Sequence, residues 1–494
     1  MPLPTADTPW PPPQWARHYA EMGRADAWYS GEPRRLDAAL GVGRPAERRR
    51  LWGRRAATQR PRPDRLHVPL AGDIAAMSGS LLFADMPAVT LPNADQATRD
   101  RLAVLLDEGS VHLALLAAAE QAAALGGIYL RVTWDRDMVP DRPLLTSVQA
   151  DAAVPEFRWG MLRAVTFWAE LPGSTSATVY RHLERHESGR IMHGLYLGTA
   201  DRLGRSVPLT EHPDTADLAR SLDADGDGQT ISTRIPQLTA AYVPNLPSRT
   251  HRGSPIGRSD YDAPIYDQLD ALDTTWTSWM RDLRLARSRL IAPDAYLRDL
   301  GPGAGADFDD DREVWTGLRI PPTEAGAGIT LAQFTIRVAE HAQTADALTR
   351  QAVTSAGYSP QSLGLAVDGG PAVTATEVED RTSRSITTRG AKAGRWRQPL
   401  AGILGALLAV DREIIGTRIT PERPVVEFGS GVVESEQSTA TTLDLLNRAQ
   451  AVSTATKVKI LHPEWDEQGV EAEVAAILAE TGTAAPNPVD SFPM

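Results

Sequence analysis

The chain contains no cysteine among its 494 residues, which excludes a disulfide framework, a thiolate nucleophile and any zinc site built on sulfur. A bound metal would need histidine or carboxylate ligands. Lysine is nearly absent, with only Lys392, Lys457 and Lys459; every other basic residue is arginine. Long apolar runs are missing too. The longest, Leu400 to Val410, lies between Pro399 and Asp411 and falls far short of the ~20 residues that cross a bilayer, so no membrane span is expected. Met1 to Pro13 holds six prolines and neither a basic region nor an apolar core, and reads as an extended arm rather than a signal peptide. Positive charge is in deficit, the net charge being −12, which argues against a whole-protein grip on nucleic acid, because such binding is driven by cations that displace counterions from phosphate. No serine nucleophile elbow, P-loop or dinucleotide fingerprint occurs; Gly364 to Gly370 is glycine-rich but is followed by no Lys-Ser/Thr.

What is present is a long apolar seam. Ile265, Leu269, Leu272, Trp276, Trp279, Leu283, Ala286 and Leu290 follow a 4-3-4-3 spacing, the signature of one buried stripe on a helix. Asp262 and Pro264 mark its start as a cap and a first-turn proline. Acids (Asp262, Asp267, Asp270, Asp273) gather early and bases (Arg281, Arg284, Arg287, Arg289) late, in the order that complements the helix dipole. At ~1.5 Å per residue the strut is roughly 40 Å long. A second seam, Leu331, Phe334, Val338, His341, Ala345, Leu348 and Ala352, closes at Gly357, a helix C′ residue. His341 reads as a hydrogen-bonded seam residue. Between the struts lies a glycine- and acid-rich excursion.

The length suits about three domains. Residues 44–65 carry nine arginines around Trp52, a candidate nucleic-acid patch or a contact for acidic neighbours. Residues 94–245 read as an α+β domain: one helix from Asp95 to Leu125 stopped by Gly126-Gly127, then strands at Ile128 to Trp134, Leu144 to Val148 and Met161 to Leu171. A hairpin follows, running out through Thr178 to His186, turning at Glu187-Ser188-Gly189-Arg190 and returning through Ile191 to Leu197. A third long helix opens with Thr374 and Glu377 at capping-box spacing and continues to Ile415, with a break or kink expected near Pro399. Pro421 to Gly431 reads as a connector or short strand, and 435–481 as a small helical cap.

Three places invite a chemical reading. His182, Glu184 and His186 share one strand face, with His193 on the return strand; this strand spacing lacks the helical geometry of H-E-x-x-H, and a solvated hairpin face is the reading adopted. Asp223, Asp225, Asp227 and Gly228 open like an EF-hand loop, but Arg234 stands where the closing glutamate belongs. The run Asp307, Asp309, Asp310, Asp311 and Glu313 reads as a partner-facing acidic patch rather than a Mg²⁺ site. No catalytic residue, metal site or cofactor is expected.

Several segments together resemble one family. Trp28-Tyr29-Ser30-Gly31 and Leu66 to Ala75 (LHVPLAGDIA), Arg181 to Glu187 with Gly189-Arg190-Ile191, Gly253 to Asp260 (GSPIGRSD), Ala356 to Gln361 (AGYSPQ) and Thr374 to Val378 are similar to portal proteins of long-tailed phages of actinobacteria, over about residues 25 to 460. The resemblance implies an α+β multidomain fold with long stem helices, an α/β wing, a small clip and a helical crown. It implies a homo-oligomeric ring of about twelve copies at one capsid vertex, non-enzymatic, through which double-stranded DNA passes without sequence specificity during packaging and ejection. The partners would be the major capsid and scaffold proteins, the terminase large subunit and a head–tail adaptor; the place would be the virion, and the host cytoplasm during assembly.

By that likeness 1–25 is an arm and 26–261 the wing. The stem helices are 262–292 and 331–357, the clip is 293–330 and the tunnel loop is 358–373. A long helix and connector occupy 374–434, the crown 435–481 and a tail 482–494. The loop residues near DNA would be Ser362, Leu365, Val367, Asp368, Gly369 and Gly370. Motor or adaptor docking would use Asp307, Asp309, Asp310, Asp311 and Glu313, and subunit packing Leu269, Leu272, Trp276, Trp279 and Leu283. The rival readings are a nucleic-acid-binding protein acting through 44–65 and a metal-dependent enzyme acting through the His182 hairpin or the acidic run. Converting Asp309, Asp310 and Asp311 together to Asn should weaken motor or adaptor docking more than ring assembly; pull-down and assembly measured on the same variant decide, and equal loss of both rejects the assignment.

Overall fold

The computed structural model describes residues 3–39, 65–135, 137–175, 177–222, 229–286, 289–293, 314–318, 330–332, 336–365, 375–429, 443–444, 446–448, 451–462 and 467–480. Their mixture of helices and mostly antiparallel sheets is an α+β fold. Two units are formed, one from 1–367 with 384–429, the other from 368–383 with 430–494.

In the first unit α1 (Ala16–Ser30) ends at Gly31, whose φ of 64° lets the chain reverse into α2 (Pro33–Ala39). Next comes α3 (Leu70–Phe83), buried on most of its surface, followed by β1 (Ala88–Thr90). The Asp95 side chain accepts the Thr98 N–H at 2.9 Å and so caps α4 (Gln96–Asp107), which hands over to α5 (Val111–Leu125). The sequence led us to expect one helix over this stretch. Two form, bent by 57°, because Ser110 takes the left-handed region (φ 49°), while Gly109 lies so close to the Leu105 carbonyl that a Cβ would collide with it. Apolar periodicity carried on across the bend because both helices bury Leu or Val against the same core.

β2 (Gly127–Thr133) pairs with β3 (Leu144–Gln149), placing Tyr129 opposite Val148. A meander follows: β4 (Ala153–Arg158), β5 (Met161–Glu170), β6 (Val179–Glu187), β7 (Arg190–Thr199) and β8 (Arg202–Val207). The expected β6–β7 hairpin forms around Ser188-Gly189, with Glu187 opposite Arg190 and Gly189 at φ 84°. After α6 (Pro213–Ser221), β9 (Thr230–Ser232) adds to β7. β10 (Ala240–Pro244) returns to pair with β2, and β11 (Leu246–Pro247) pairs with β12 (Gly257–Arg258).

The first strut is α7 (Ala263–Leu285). Its 23 residues span ~35 Å, less than the seam suggested, because Leu290 belongs to β13 (Arg289–Pro293). Asp262 precedes α7 without capping it through its side chain; that carboxylate pairs with Arg258 at 3.2 Å instead. β14 (Val314–Leu318) runs parallel to β13, and β15 (Thr330–Ala332) antiparallel to it. Leu331, the expected first member of the second seam, therefore lies in a strand opposite Leu290. The second strut, α8 (Val338–Ala356), starts later than expected and ends at Gly357 with φ 99°; Phe334 lies outside the described residues. A helical 3-4 spacing and a short strand share apolar residues at such ends, and backbone pairing across the excursion decides for the strand.

The long helix α9 (Ala375–Val410) is not broken at Pro399, contrary to what the proline led us to expect, but runs on through it and widens into a π turn, Asp411–Ile415. β16 (Val425–Glu427) pairs with β1. In the second unit α10 (Thr454–Leu461) packs against α11 (Glu467–Glu480), and Ser453 caps α10 through Thr456 N–H at 3.2 Å.

Two large apolar cores lie in the first unit, beside two smaller clusters around Trp10 and Leu195. One large core gathers Trp28, Ile74, Tyr261, Ile265, Leu269, Leu272, Val353 and Tyr358; the other gathers Phe83, Leu115, Ile128, Trp396, Leu404 and Leu407. Where the chain enters α7 and leaves α8, one ion pair is buried. Asp260 is 0% and Lys392 1% exposed. Lys392 Nζ lies 2.7 and 2.6 Å from the two Asp260 oxygens and 2.6 Å from Ser78 Oγ. Tyr358 OH donates to Asp260 Oδ2 at 2.7 Å, and Asn245 Nδ2 to Oδ1 at 2.8 Å. Burial pushes the Lys392 ammonium below its ordinary value while Asp260 pulls it back. Removing one partner strands a buried charge, so Lys392→Met should cost about 3–5 kcal/mol in urea unfolding, and adding Asp260→Asn should restore part of it. A single-variant loss below about 1 kcal/mol would show that water reaches the pair.

Candidate functional site

The paired struts change character along their length. Near the root, Ile265, Leu269 and Leu272 are buried in this chain's own core, and Asp273, 1% exposed, accepts Val68 N–H at 2.9 Å, lies 3.0 Å from His67 Nδ1 and 3.4 Å from Arg65 Nη2. Arg65 also pairs with Asp270. The arginine-rich segment thus ends in two carboxylates of α7; residues 44–64 lie outside the described residues. On α8, Ala345, Ala352 and Ala356 are buried, small side chains that let the antiparallel helices approach.

Further out the seam opens. Trp276 and Trp279 are half-buried and stack with ring centroids 5.1 Å apart. Trp279 lies over His341 of α8 at 6.0 Å, the planes 8° from parallel, and His341 Nε2 meets Asp282 Oδ2 at 2.9 Å. That hydrogen bond, helped by Arg337, holds the Asp282 carboxyl below the usual range. Leu283 is 40%, Leu285 39% and Val338 47% exposed. Of the five residues expected in subunit packing, Leu269 and Leu272 are therefore enclosed within their own chain, while Trp276, Trp279 and Leu283 grade outward to solvent.

Asp307, Asp309, Asp310, Asp311 and Glu313 lie outside the described residues, as do Val367, Asp368, Gly369, Gly370, Thr374 and the Asp223–Gly228 turn. Ser362 and Leu365 are described and half-buried. Pro360–Leu363 is a 3-10 turn; Ser362 Oγ lies 2.7 Å from Ser385 Oγ, and Ser359 N–H donates to that oxygen at 2.9 Å. With Tyr358 on the buried ion pair, the first half of the expected tunnel loop is built into the root, against α9.

The His182 hairpin face is not solvated. Glu184, His186 and His193 are buried. Glu184 pairs with Arg131, which reaches over from β2, and with His186 Nε2 at 2.8 Å; His186 Nδ1 is 2.7 Å from Thr239 Oγ1. His182 Nε2 and His193 Nδ1 are 3.2 Å apart, with parallel rings. Among the described residues no group of three His, Asp or Glu is arranged to hold a metal ion. The cluster is a polar weld between the two sheets, invisible in sequence because Arg131 stands 53 positions from Glu184. A still longer separation, 310 positions, hid Asp411, fully buried, which Arg101 grips through Nε at 3.0 Å and Nη2 at 2.7 Å.

No family model matches the chain, and no curated protein matches it. Solved structures with some likeness come from gene transfer agent particles. One is from the neck of a native particle computed with C12 symmetry, at 13% identity and a TM-score of 0.40, covering 80% of this chain and 89% of that one. Another is from the virion of a native particle, at 15% identity and a TM-score of 0.42, covering 89% and 98%. Likeness at this level carries no argument about function.

Burial pushes the His193 imidazole from an ordinary 6.5 down to about 4, against the pull of Glu184; burial lowers His182 too. Between those values the unfolded chain binds the proton and the fold does not, so stability is full above about pH 6.5 and falls as pH drops toward 4, by about 3 kcal/mol for His193 alone. Urea midpoints between pH 7 and 4 should follow this slope, and His193→Leu should flatten it; an unchanged slope in the variant contradicts the assignment.

Proposed function

We propose that the chain is the repeating subunit of a portal-type ring at one vertex of a phage-like capsid, a conduit for packaging and ejecting double-stranded DNA without chemistry of its own. The observation that carries this reading is the strut pair: α7 and α8 are locked at one end into the chain's own core, and at the other end show a half-buried aromatic stack with Leu283, Leu285 and Val338 exposed. A half-covered apolar flank on a rigid helix pair suits a repeated neighbour. The family resemblance of the sequence points the same way.

In this reading the struts are the stem, and the segment between them is the clip, docking the terminase large subunit and later a head–tail adaptor through Asp307, Asp309, Asp310, Asp311 and Glu313. Residues 26–261 and the long α9 form the wing, 435–481 form the crown, and the major capsid and scaffold proteins are the ring's partners in the shell. Val367, Asp368, Gly369 and Gly370 follow the anchored turn and carry the part of the loop that faces DNA. A net charge of −12 suits a channel that must not hold phosphate, since each neutralised phosphate adds a salt-dependent grip. The ring would belong to the virion, after assembly in the host cytoplasm.

Native mass spectrometry and negative-stain microscopy should show annular oligomers of about twelve copies. Leu283→Glu, at an exposed position, should reduce ring assembly without shifting thermal unfolding. A parent chain that stays monomeric at high concentration contradicts the ring.

A further inference from the structure

The turn between β4 and β5 is built against its local preference. Two residues, Trp159 and Gly160, join the strands, with Arg158 opposite Met161. Both take positive φ, 53° and 78°, the geometry of a two-residue turn that favours Asn-Gly or Asp-Gly. A tryptophan in the left-handed region is strained, and this one gains no packing in return. It is 83% exposed and Met161 67%; its only described ring contact is the Arg158 guanidinium, 4.4 Å from the centroid. Arg158 and Arg163 are exposed, while Glu156, two positions before Arg158, pairs with Arg185. The tip is therefore aromatic, apolar and cationic on a chain of net charge −12.

Elsewhere on the same unit lies a hollow of about 410 Å³ between α9, β10 and the segment before β16, lined by Leu238, Ala241, Pro399, Gly402 and Ile403, with Glu422 among its polar walls. Gly402 makes the dent. The Glu422 carboxylate accepts only neutral donors, Asn93 N–H at 3.2 Å and Asn93 Nδ2 at 2.8 Å, and among the described residues no cation pairs with it. Arg423, the cation in the wall, is engaged by Gln398 through its carbonyl at 3.1 Å and its Oε1 at 2.7 Å.

We propose that the Trp159–Met161 tip of one copy seats in the Pro399–Gly402 hollow of the next, with Arg158 facing Glu422. Tip and hollow lie on different elements, so the contact is head-to-tail, the kind that closes rings or grows filaments. An aromatic anchor beside an arginine, filling an apolar hollow, is the usual composition of a binding hot spot. The proposal rests on the ring reading only in requiring that copies associate, and it names surfaces outside the struts.

Trp159→Asn installs the residue the turn prefers, so its melting temperature should equal or exceed the parent's. Gly402→Leu fills the hollow; a Cβ there meets only Arg423 Nη2 at 4.0 Å, and leucine favours the helix. By sedimentation velocity each variant alone should self-associate at least about tenfold more weakly. Mixed at a concentration where each is monomeric, the two should form a 1:1 complex and nothing larger, because one supplies the only intact tip and the other the only intact hollow. Rings from Trp159→Asn as readily as from the parent overturn this contact and leave the ring reading standing, whereas a parent that never associates overturns both. A mixture without the 1:1 complex overturns the contact, as does a Trp159→Asn variant that keeps its association but loses salt-sensitive duplex binding, which would make the tip a nucleic-acid contact.

Discussion

A single buried ion pair fixes where the struts leave the body of the protein. Asp260 stands just before α7, Tyr358 just after α8, Lys392 on α9, Ser78 on α3 and Asn245 after β10, and all five meet through hydrogen bonds of 2.6 to 2.8 Å. Burying two charges adds little net stability, since desolvation offsets most of the attraction. What it adds is uniqueness: any register that slides a strut or rotates α9 leaves a charge without its partner. Lys392 is one of three lysines in an arginine-dominated chain. A compact ammonium suits this site, where the donors must radiate toward a carboxylate and a hydroxyl, better than a planar guanidinium would.

The same device recurs at other junctions. Asp273 binds the approach to α3 onto α7, Asp411 binds α4 to the end of α9 through Arg101, and Glu184 binds β6 to β2 through Arg131. Each buried carboxylate sits where separate elements converge, and each is fully engaged. The interior spends its polar groups on fixing angles between layers, while the apolar residues fill the cores.

Much of the fold was legible where the signal is local. The seam from Ile265 to Leu283 lies on one helix, Gly357 closes the second, and Ser188-Gly189 turns the hairpin as its residues demand. The failures have a common cause. The ends of both struts become strands because Leu290 and Leu331 find each other across the excursion, a contact no window of sequence contains. The break at Ser110 was hidden because apolar spacing persists on both sides of it. His182, Glu184 and His186 alternate as an exposed face would, yet a distant arginine makes burial affordable. Of the candidate site, the outward grading from Leu272 to Leu283 was beyond periodicity, which reports that a stripe is apolar and not what covers it; the anchoring of Ser362 by Ser385 depends on a helix more than twenty positions away.

The three strands at the far end of the struts have a mechanical consequence. β13 follows α7 and β15 precedes α8, and the two are hydrogen-bonded to each other, so the helix pair is stapled outside as well as at its root. Backbone pairing at one end and the buried ion pair at the other both resist splaying of the two helices. Because the staple closes ahead of the segment it encloses, and the entropy of closing a longer loop rises only logarithmically with its length, lengthening that segment adds little to the cost of keeping the two rods paired.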